Sequence, residues 1–262
     1  MSPLEFTGMK AAIQAHWPEY LIEGWALGTF MISAGVFSTL FEHTGAPLQQ
    51  AIADPMLRRV LIGVAMGCTA IALIYSPWGQ RSGAHMNPAV TLTFWRLGKV
   101  TGWDALFYCA AQFIGGTLGV LIVAALCKGA FTAPPVNYIA TVPGAAGVAV
   151  AFAAEFVISG LLMSVVLRVS NSPRHAGFTG VCAGLLVAIY IAFEAPFSGM
   201  SMNPARSFAS AWPGGIWTNF WVYLTAPLLG MQCAAFLFLR SRACAKLMHS
   251  KTQRCIHCGY LP

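Results

Sequence analysis

The hydrophobic positions of this chain fall into six long apolar runs that are separated by shorter polar stretches. The runs cover residues 19–42, 57–76, 105–126, 148–169, 178–194 and 219–239. A helix needs about 20 mainly apolar residues to cross the hydrocarbon core of a bilayer. The pattern therefore predicts an all-α membrane protein with six transmembrane helices.

Two further segments are broken by Gly, Pro and Ser, and each leads into the tripeptide Asn-Pro-Ala. These segments, 77–85 and 196–202, predict non-helical backbone that descends into the membrane. The tripeptides are Asn87, Pro88 and Ala89, and Asn203, Pro204 and Ala205. Asn caps free backbone N–H groups and Pro suits the first helical position, so each tripeptide predicts the start of a re-entrant half-helix.

The two breaks lie at corresponding places in two apolar halves. Such paired breaks indicate a transport site built from discontinuous helices, and non-helical backbone at membrane depth must line a wet cavity or be buried in protein. We therefore predict a single transmembrane channel domain over 1–262, with a first repeat over 19–127 and a second over 147–240. Residues 241–262 would form a cytoplasmic tail.

Composition supports a membrane protein rather than a soluble domain. Of 262 residues, 57% are hydrophobic and 9% are charged, whereas about a quarter of the residues in soluble proteins are charged. The net charge of +7 could indicate nucleic-acid binding, but no basic face carries aromatic neighbours. The chain is thus expected to bind no nucleic acid.

The basic residues lie instead at the ends of the apolar runs. With a cytoplasmic N-terminus and six spans, most of them fall on the cytoplasmic side: Lys10, Arg81, Arg96, Lys99, Arg168, Arg174, Arg240, Arg242, Lys246, Lys251 and Arg254. Arg58, Arg59 and Lys128 fall outside. The positive-inside rule then predicts that both termini are cytoplasmic, and we expect the plasma (inner) membrane.

The cysteines do not indicate a disulfide framework, because five lie in apolar runs as small packing residues. The tail does contain potential metal ligands: Cys244, His249, Cys255, His257 and Cys258. A single Cys-x-x-Cys is a weak zinc signal, so we interpret this tail as solvated chain with reduced thiols. No metal or cofactor is expected.

The doubled Asn-Pro-Ala, with Arg206 after the second copy, resembles the aquaporin family (major intrinsic proteins). The resemblance covers about 20–239. It implies two halves inserted in opposite orientation, a homotetramer, and one pore per subunit. Facing half-helix N-termini would each carry about half a positive elementary charge, which repels cations. The amides of Asn87 and Asn203 would donate hydrogen bonds to passing water.

Arg206 is costly in a membrane unless it faces water and partners, which makes it a candidate pore residue. The family resemblance implies a constriction formed by Met66, Ile191 and Met200 beside Arg206. Water-selective members commonly have Phe and His at two of these positions, and this chain has neither. Ser207 after the Arg resembles the water-selective branch, whereas glycerol facilitators usually have Asp.

Two residues are predicted to support the pore. Glu155 resembles the fourth-helix Glu that braces the re-entrant loop of the family, although a helix-packing acid is the alternative. His85 is expected to be a hydrogen-bonded wall residue rather than a metal ligand or proton carrier. Glu23, an acid within the first run, should face the bundle interior. It lies five residues before Gly28-Thr29, whereas the family Glu lies three before such a pair, so the brace role is not assigned to it.

These features predict a passive channel that conducts water, leaks small neutral solutes, and excludes protons and ions. The alternative is a facilitator for glycerol or another small uncharged solute. An ion channel or coupled transporter would need carboxylates along the pathway, and the intramembrane acids are Glu23, Glu155 and Glu194. An enzyme would need a nucleophile with a base or a metal cluster, and the apolar runs contain neither.

Overall fold

The computed structural model describes residues 8–241, which form helices and connecting loops with no strand. The helices are α1 (Met9–Glu42), α2 (Pro47–Ala51), α3 (Pro55–Tyr75), α4 (Pro77–Ser82), α5 (Pro88–Arg96), α6 (Gly102–Cys127), α7 (Gly129–Thr132), α8 (Val148–Ser170), α9 (Thr179–Phe193), α10 (Ala195–Ser198), α11 (Pro204–Gly214) and α12 (Trp221–Arg240). Short 3₁₀ turns cover Asn137–Ile139 and Ala176–Phe178.

Six of these elements are long and apolar enough to cross a membrane. They are α1, α3, α6, α8, α12, and α9 together with the 3₁₀ turn before it, over Ala176–Phe193. Their outward faces carry large exposed apolar side chains such as Leu21, Ile114 and Leu126, which suits contact with lipid. The prediction of an all-α protein with six membrane-spanning helices is confirmed.

The first helix is longer than its apolar run, because it begins at Met9 rather than near residue 19. Asp104 of α6 stabilises the extension. Its Oδ1 accepts a hydrogen bond from the Tyr20 hydroxyl at 2.6 Å and lies 2.8 Å from Nδ1 of His16. The Tyr20 hydroxyl also lies 3.0 Å from the carbonyl of Ala12. The apolar pattern of the sequence gives no information about these polar contacts, so it does not predict the extension.

The segment 77–85 is not wholly non-helical, as the sequence predicted, because its first residues form α4. Ser76 caps this helix by accepting from the N–H of Gly79 at 2.9 Å, and Pro77 occupies the first helical position. The helix ends at Gly83, whose φ of 90° suits glycine. In the second half, α10 is a shorter helical turn before the corresponding break.

The long helices pack in the same pairs in both halves of the chain. In each half the first long helix packs against the last, α1 on α6 and α8 on α12, while α3 and α9 pack across the halves. Glycines permit the close approach: a Cβ on Gly115 would lie 1.9 Å from the carbonyl oxygen of Gly24, and one on Gly230 would lie 2.2 Å from that of Phe156. The half-helices α5 and α11 are enclosed by this bundle.

Candidate pore and constriction

Each Asn of the doubled tripeptide caps a half-helix. Asn87 accepts a hydrogen bond from the N–H of Ala89 at 2.8 Å, and α5 begins at the next residue, Pro88. Asn203 accepts from the N–H groups of Ala205 at 3.0 Å and Arg206 at 3.2 Å, and α11 begins at Pro204. The carboxamide oxygens are therefore committed to capping, so the two –NH₂ groups are the remaining donors.

The two Asn side chains also join the half-helices to each other. Nδ2 of Asn87 donates to the carbonyl of Met202 at 2.7 Å, and Nδ2 of Asn203 donates to the carbonyl of Met86 at 2.7 Å. This reciprocal pair places the N-termini of α5 and α11 face to face. It uses one N–H of each amide, and the other remains to meet a passing molecule. The sequence did not predict this link.

Glu155 holds the segment that precedes Asn203. Its carboxylate accepts from the N–H groups of Ser201 and Met202, both at 2.7 Å, and from the hydroxyl of Ser198 at 2.8 Å. Met200 and Met202 have φ values of 50° and 54°. Such left-handed conformations cost about 1–3 kcal/mol each and persist only where surrounding contacts hold them. Glu155 provides those contacts.

Glu23 has the same contacts in the first half, which the sequence did not predict. Its carboxylate accepts from the N–H groups of His85 at 2.9 Å and Met86 at 2.7 Å, from Ser82 at 2.8 Å and from Gln112 at 2.8 Å. The signal that could have identified it is the repeat itself, since the first long helix of each half carries one fully buried acid. The spacing to the Gly-Thr pair was misleading.

His85 lies on the wall of the cavity described below. Its Nδ1 is 3.0 Å from the hydroxyl of Thr91, and its ring stacks on Phe94 with a centroid separation of 5.1 Å. Among residues 8–241 there is no group of three His, Cys, Asp or Glu side chains that could hold a metal ion.

A cavity of about 420 Å³ lies inside the bundle, and its lining includes residues from the first turn of both half-helices. Along α3 its lining runs from Pro55 to Ile74, which at 1.5 Å per residue corresponds to about 28 Å. That length is close to the thickness of a bilayer core, about 30 Å. The wall is mainly apolar; its polar side chains are Ser38, Glu42, Arg59, His85, Asn87, Ser201, Asn203 and Arg206.

The four predicted constriction residues, Met66, Ile191, Met200 and Arg206, all line this cavity. Nη1 of Arg206 donates to the carbonyl of Ile139 at 2.8 Å, and Ile139 lines the cavity as well. The sequence did not predict a role for Ile139, which lies in the connector between the halves. Its position depends on the left-handed turn Asn137–Ile139. Asn adopts this conformation more readily than most residues, but Tyr138 and Ile139 give no sequence signal for it.

The possible metal ligands of the tail, Cys244, His249, Cys255, His257 and Cys258, lie outside the described residues. The same is true of residues 242–262 of the predicted cytoplasmic tail.

Comparison with known proteins agrees with this architecture. The Major intrinsic protein family matches residues 15–238. The chain is 33% identical over 205 residues to "Putative aquaporin NIP4-1" of Arabidopsis thaliana, covering 78% of this chain and 70% of that protein. It is 37% identical over 182 residues to "Aquaporin TIP4-4" of Zea mays, covering 68% and 70%. Across such plant relatives the chain spans 60% to 80% of their length.

A solved structure shares the fold. The X-ray structure of the aquaglyceroporin from Plasmodium falciparum superposes with a TM-score of 0.72 at 21% identity, covering 86% of this chain and 96% of that one. At this identity the similarity shows the fold alone. The family match and the plant relatives carry the assignment: the chain belongs to the major intrinsic protein (aquaporin) family, whose members are membrane channels for water or small solutes.

Proposed function

We propose that this protein is a passive water channel that excludes protons and ions and leaks small neutral solutes. The observation that carries the proposal is the membrane-length cavity, whose apolar wall is interrupted by hydrogen-bond donors from Asn87, Asn203 and Arg206. Such a passage lets water move in file while each molecule keeps its neighbours and meets a few fixed donors.

Ion exclusion follows from the sign of the charges along this passage. The N-termini of α5 and α11 meet at the Asn pair and present partial positive charge, and Arg206 adds a full positive charge. The buried acids Glu23 and Glu155 are outside the cavity lining of the described chain and accept backbone N–H groups instead. Glu42, which does line the cavity, pairs with Arg58 at 3.3 Å.

The constriction that we propose, Met66, Ile191, Met200 and Arg206, has three apolar walls and one donor. A water molecule that loses its neighbours there pays on the order of 1–3 kcal/mol for an unpaired polar group. Water therefore passes by keeping its file neighbours and its bond to Arg206. Methionine is flexible, so the wall yields to a somewhat larger solute and glycerol leaks.

A facilitator for glycerol or another small uncharged solute is the second candidate. The three apolar side chains favour it, because they would contact the carbon backbone of a polyol while Arg206 binds its hydroxyl groups. The residue after Arg206 favours the water channel over the facilitator, because Ser207 matches the Ser that is common in the water-selective branch of the family.

Stopped-flow light scattering on proteoliposomes separates the two candidates. Water flux is measured under a sucrose gradient and glycerol uptake under a glycerol gradient, with protein-free liposomes as the control. We expect water to equilibrate much faster than glycerol. Glycerol uptake without enhanced water flux would make the facilitator the correct assignment.

We also propose the placement of the chain in the membrane. We assign the repeats 19–127 and 147–240 to α1–α6 and α8–α12, and the shared pairing scheme of their long helices supports this division. The positive-inside rule favours cytoplasmic termini in a plasma (inner) membrane. Family resemblance supports a homotetramer, whose contacts would cover part of the exposed apolar surface.

A further inference from the structure

The connector between the two halves is fastened to α11 at two consecutive residues. The carbonyl of Ile139 accepts from Arg206 at 2.8 Å, and the hydroxyl of Thr141 lies 2.6 Å from that of Ser207. The N–H of Gly144 then donates to the carbonyl of Phe197 at 2.9 Å. The connector therefore runs alongside the second re-entrant segment and reaches the constriction at Ile139.

The Thr141 contact is the first link of a hydroxyl chain. The hydroxyl of Ser201 is 2.6 Å from that of Ser207, and it donates to the carbonyl of Asn203 at 3.0 Å. A hydroxyl has one proton, so Ser201 must accept from Ser207, and Ser207 must accept from Thr141. The chain thus runs in one direction, from Thr141 through Ser207 and Ser201 to the backbone of the pore residue Asn203.

The three hydroxyl residues are buried, and of the three Ser201 alone also lines the cavity. Thr141 is 6% exposed, Ser201 is 6% exposed and Ser207 is 1% exposed. Thr141 and Ser207 do not line the cavity, so a hydroxyl of either residue that loses its partner cannot replace it with water, and the full desolvation penalty remains. Removing one member therefore affects the others.

The backbone just before Thr141 needs to be held. Asn137, Tyr138 and Ile139 have φ values of 48°, 56° and 50°. Asn adopts the left-handed conformation more readily than other non-glycine residues, but for Tyr138 and Ile139 it is unfavourable, and such strain persists where neighbouring contacts enforce it. On one side the ring of Tyr138 packs on Phe131, with centroids 5.7 Å apart. On the other side the first side-chain hydrogen bond is that of Thr141.

We infer that Thr141 is a positioning residue for solute selectivity, which acts through Ser207 and Ser201 to keep the carbonyl of Ile139 on Arg206. Thr141 is not among the described residues that line the cavity, so it acts without touching the permeant. Its hydroxyl fixes the connector, the connector fixes the guanidinium, and the guanidinium sets the width and donor direction of the constriction. The inference rests on the proposed function.

The test compares Thr141→Val, which removes the hydroxyl but keeps the shape, with Thr141→Ser, which keeps the hydroxyl. Thr117→Val is the matched control, because within residues 8–241 that buried hydroxyl bonds only to the carbonyl of Phe113 in its own helix, at 2.8 Å. Water flux and glycerol uptake are measured in proteoliposomes with equal protein content. The readout is their ratio, which incomplete folding does not change because both fluxes then fall together.

We expect Thr141→Val to raise the glycerol-to-water ratio roughly three- to tenfold, the factor that follows from losing one net hydrogen bond. Thr141→Ser and Thr117→Val should keep the wild-type ratio. Ser207→Ala should reproduce the effect of Thr141→Val, and the double variant should add little to either, because both interrupt one chain.

A wild-type ratio in both Thr141→Val and Ser207→Ala would overturn the inference while leaving water conduction in place. Wild-type protein that conducts glycerol but no water would overturn the proposed permeant, and the ratio of glycerol to urea uptake in the same variants then decides the inference. Absence of any flux in the wild type would overturn both.

Discussion

Arg206 donates from Nη1 to the carbonyl oxygen of Ile139 at 2.8 Å, across 67 positions of the sequence. Among residues 8–241, the carbonyl of Ile139 is the one protein group that accepts a hydrogen bond from this guanidinium. A guanidinium has five N–H donors, so most of them remain for water in the cavity. The bond therefore orients a fixed positive charge on the wall of the passage without consuming it.

The first prediction concerns this charge. Arg206→Ala should preserve folding and water flux but raise the leak of protons or small cations. A unit charge acts on an ion about 10 Å away with roughly 1.7 kcal/mol at an effective dielectric constant of about 20, so the leak should rise more than about tenfold. A pH-sensitive dye trapped in proteoliposomes measures it.

The control for this variant is Arg59→Ala. Arg59 lines the same cavity, but near the end formed by Glu42 and Pro55, and its contacts are the carbonyl of Ala192 at 3.5 Å and the sulfur of Met56 at 3.4 Å. Its removal should change the leak little. Equal ion exclusion in wild type and in well-folded Arg206→Ala would mean that Arg206 is not the barrier.

The second prediction concerns the apolar side of the constriction. Ile191→His should polarise and narrow it, lowering glycerol flux more than water flux, while Met200→Ala should widen it and raise glycerol flux. Leu185→Ala, on the exposed face of α9, is the matched control. Stopped-flow ratios of water to glycerol measure the effect. If neither pore substitution moves the ratio, selectivity is set elsewhere in the cavity.

The third prediction concerns the two buried braces. Glu155→Gln and Glu23→Gln each replace a carboxylate by an amide that cannot accept from all the N–H groups now pointing at it. Each unsatisfied donor costs about 1–3 kcal/mol, so both variants should unfold at clearly lower temperature in detergent. Glu42→Gln, which alters a partly exposed ion pair, should have a smaller effect. Unchanged unfolding midpoints in both variants would show that the carboxylates of Glu23 and Glu155 do not stabilise the fold.

The fourth prediction concerns pH and Glu194. The sequence pattern places Glu194 in the fifth apolar run, but in the structure the span Ala176–Phe193 ends before it. Burial raises the pKa of Glu194 from 4.5 to about 7; the hydrogen bond with Ser198 lowers it and the neighbouring Glu155 raises it. The hydroxyl of Ser198 contacts both carboxyl groups but has one proton. Protonated Glu194 can donate to Ser198, which then donates to Glu155.

The sign of the effect on stability follows from this pKa. The folded protein holds the Glu194 proton to a higher pH than the unfolded chain, so this contribution is complete below about pH 4.5 and is lost as the pH rises to about 7. This contribution should make the thermal unfolding midpoint of the wild type higher at pH 5 than at pH 8. Glu194→Gln should reduce the difference between the two midpoints. Identical pH dependence in wild type and variant would contradict the assignment.

The spans and the half-helix starts could be predicted because they depend on local information. Apolar length specifies a membrane span, and Asn followed by Pro specifies a helix start, whatever the rest of the chain does. The helix α4 differs from the predicted non-helical segment because the cap at Ser76 and the proline at the first helical position outweigh the glycines that follow. Both signals were present in the sequence.

Other features depend on contacts between distant segments. The link from Asn87 to Met202, the bracing of Met86 by Glu23, and the approach of Ile139 to Arg206 join residues 115, 63 and 67 positions apart. Each forms only after distant segments of the chain pack together, and no local pattern encodes it. The positive φ values at Met86 and Ile139 could not be predicted from the sequence either, since neither residue is glycine.

The most direct measurement of the central claim is osmotic water flux together with ion flux in one batch of proteoliposomes. We predict that shrinkage under a sucrose gradient is much faster than in protein-free liposomes, is unaffected by an imposed membrane potential, and occurs without added proton or potassium leak. Water flux no faster than in protein-free liposomes, or water flux accompanied by an ion current, would contradict the account of this protein as a passive water channel.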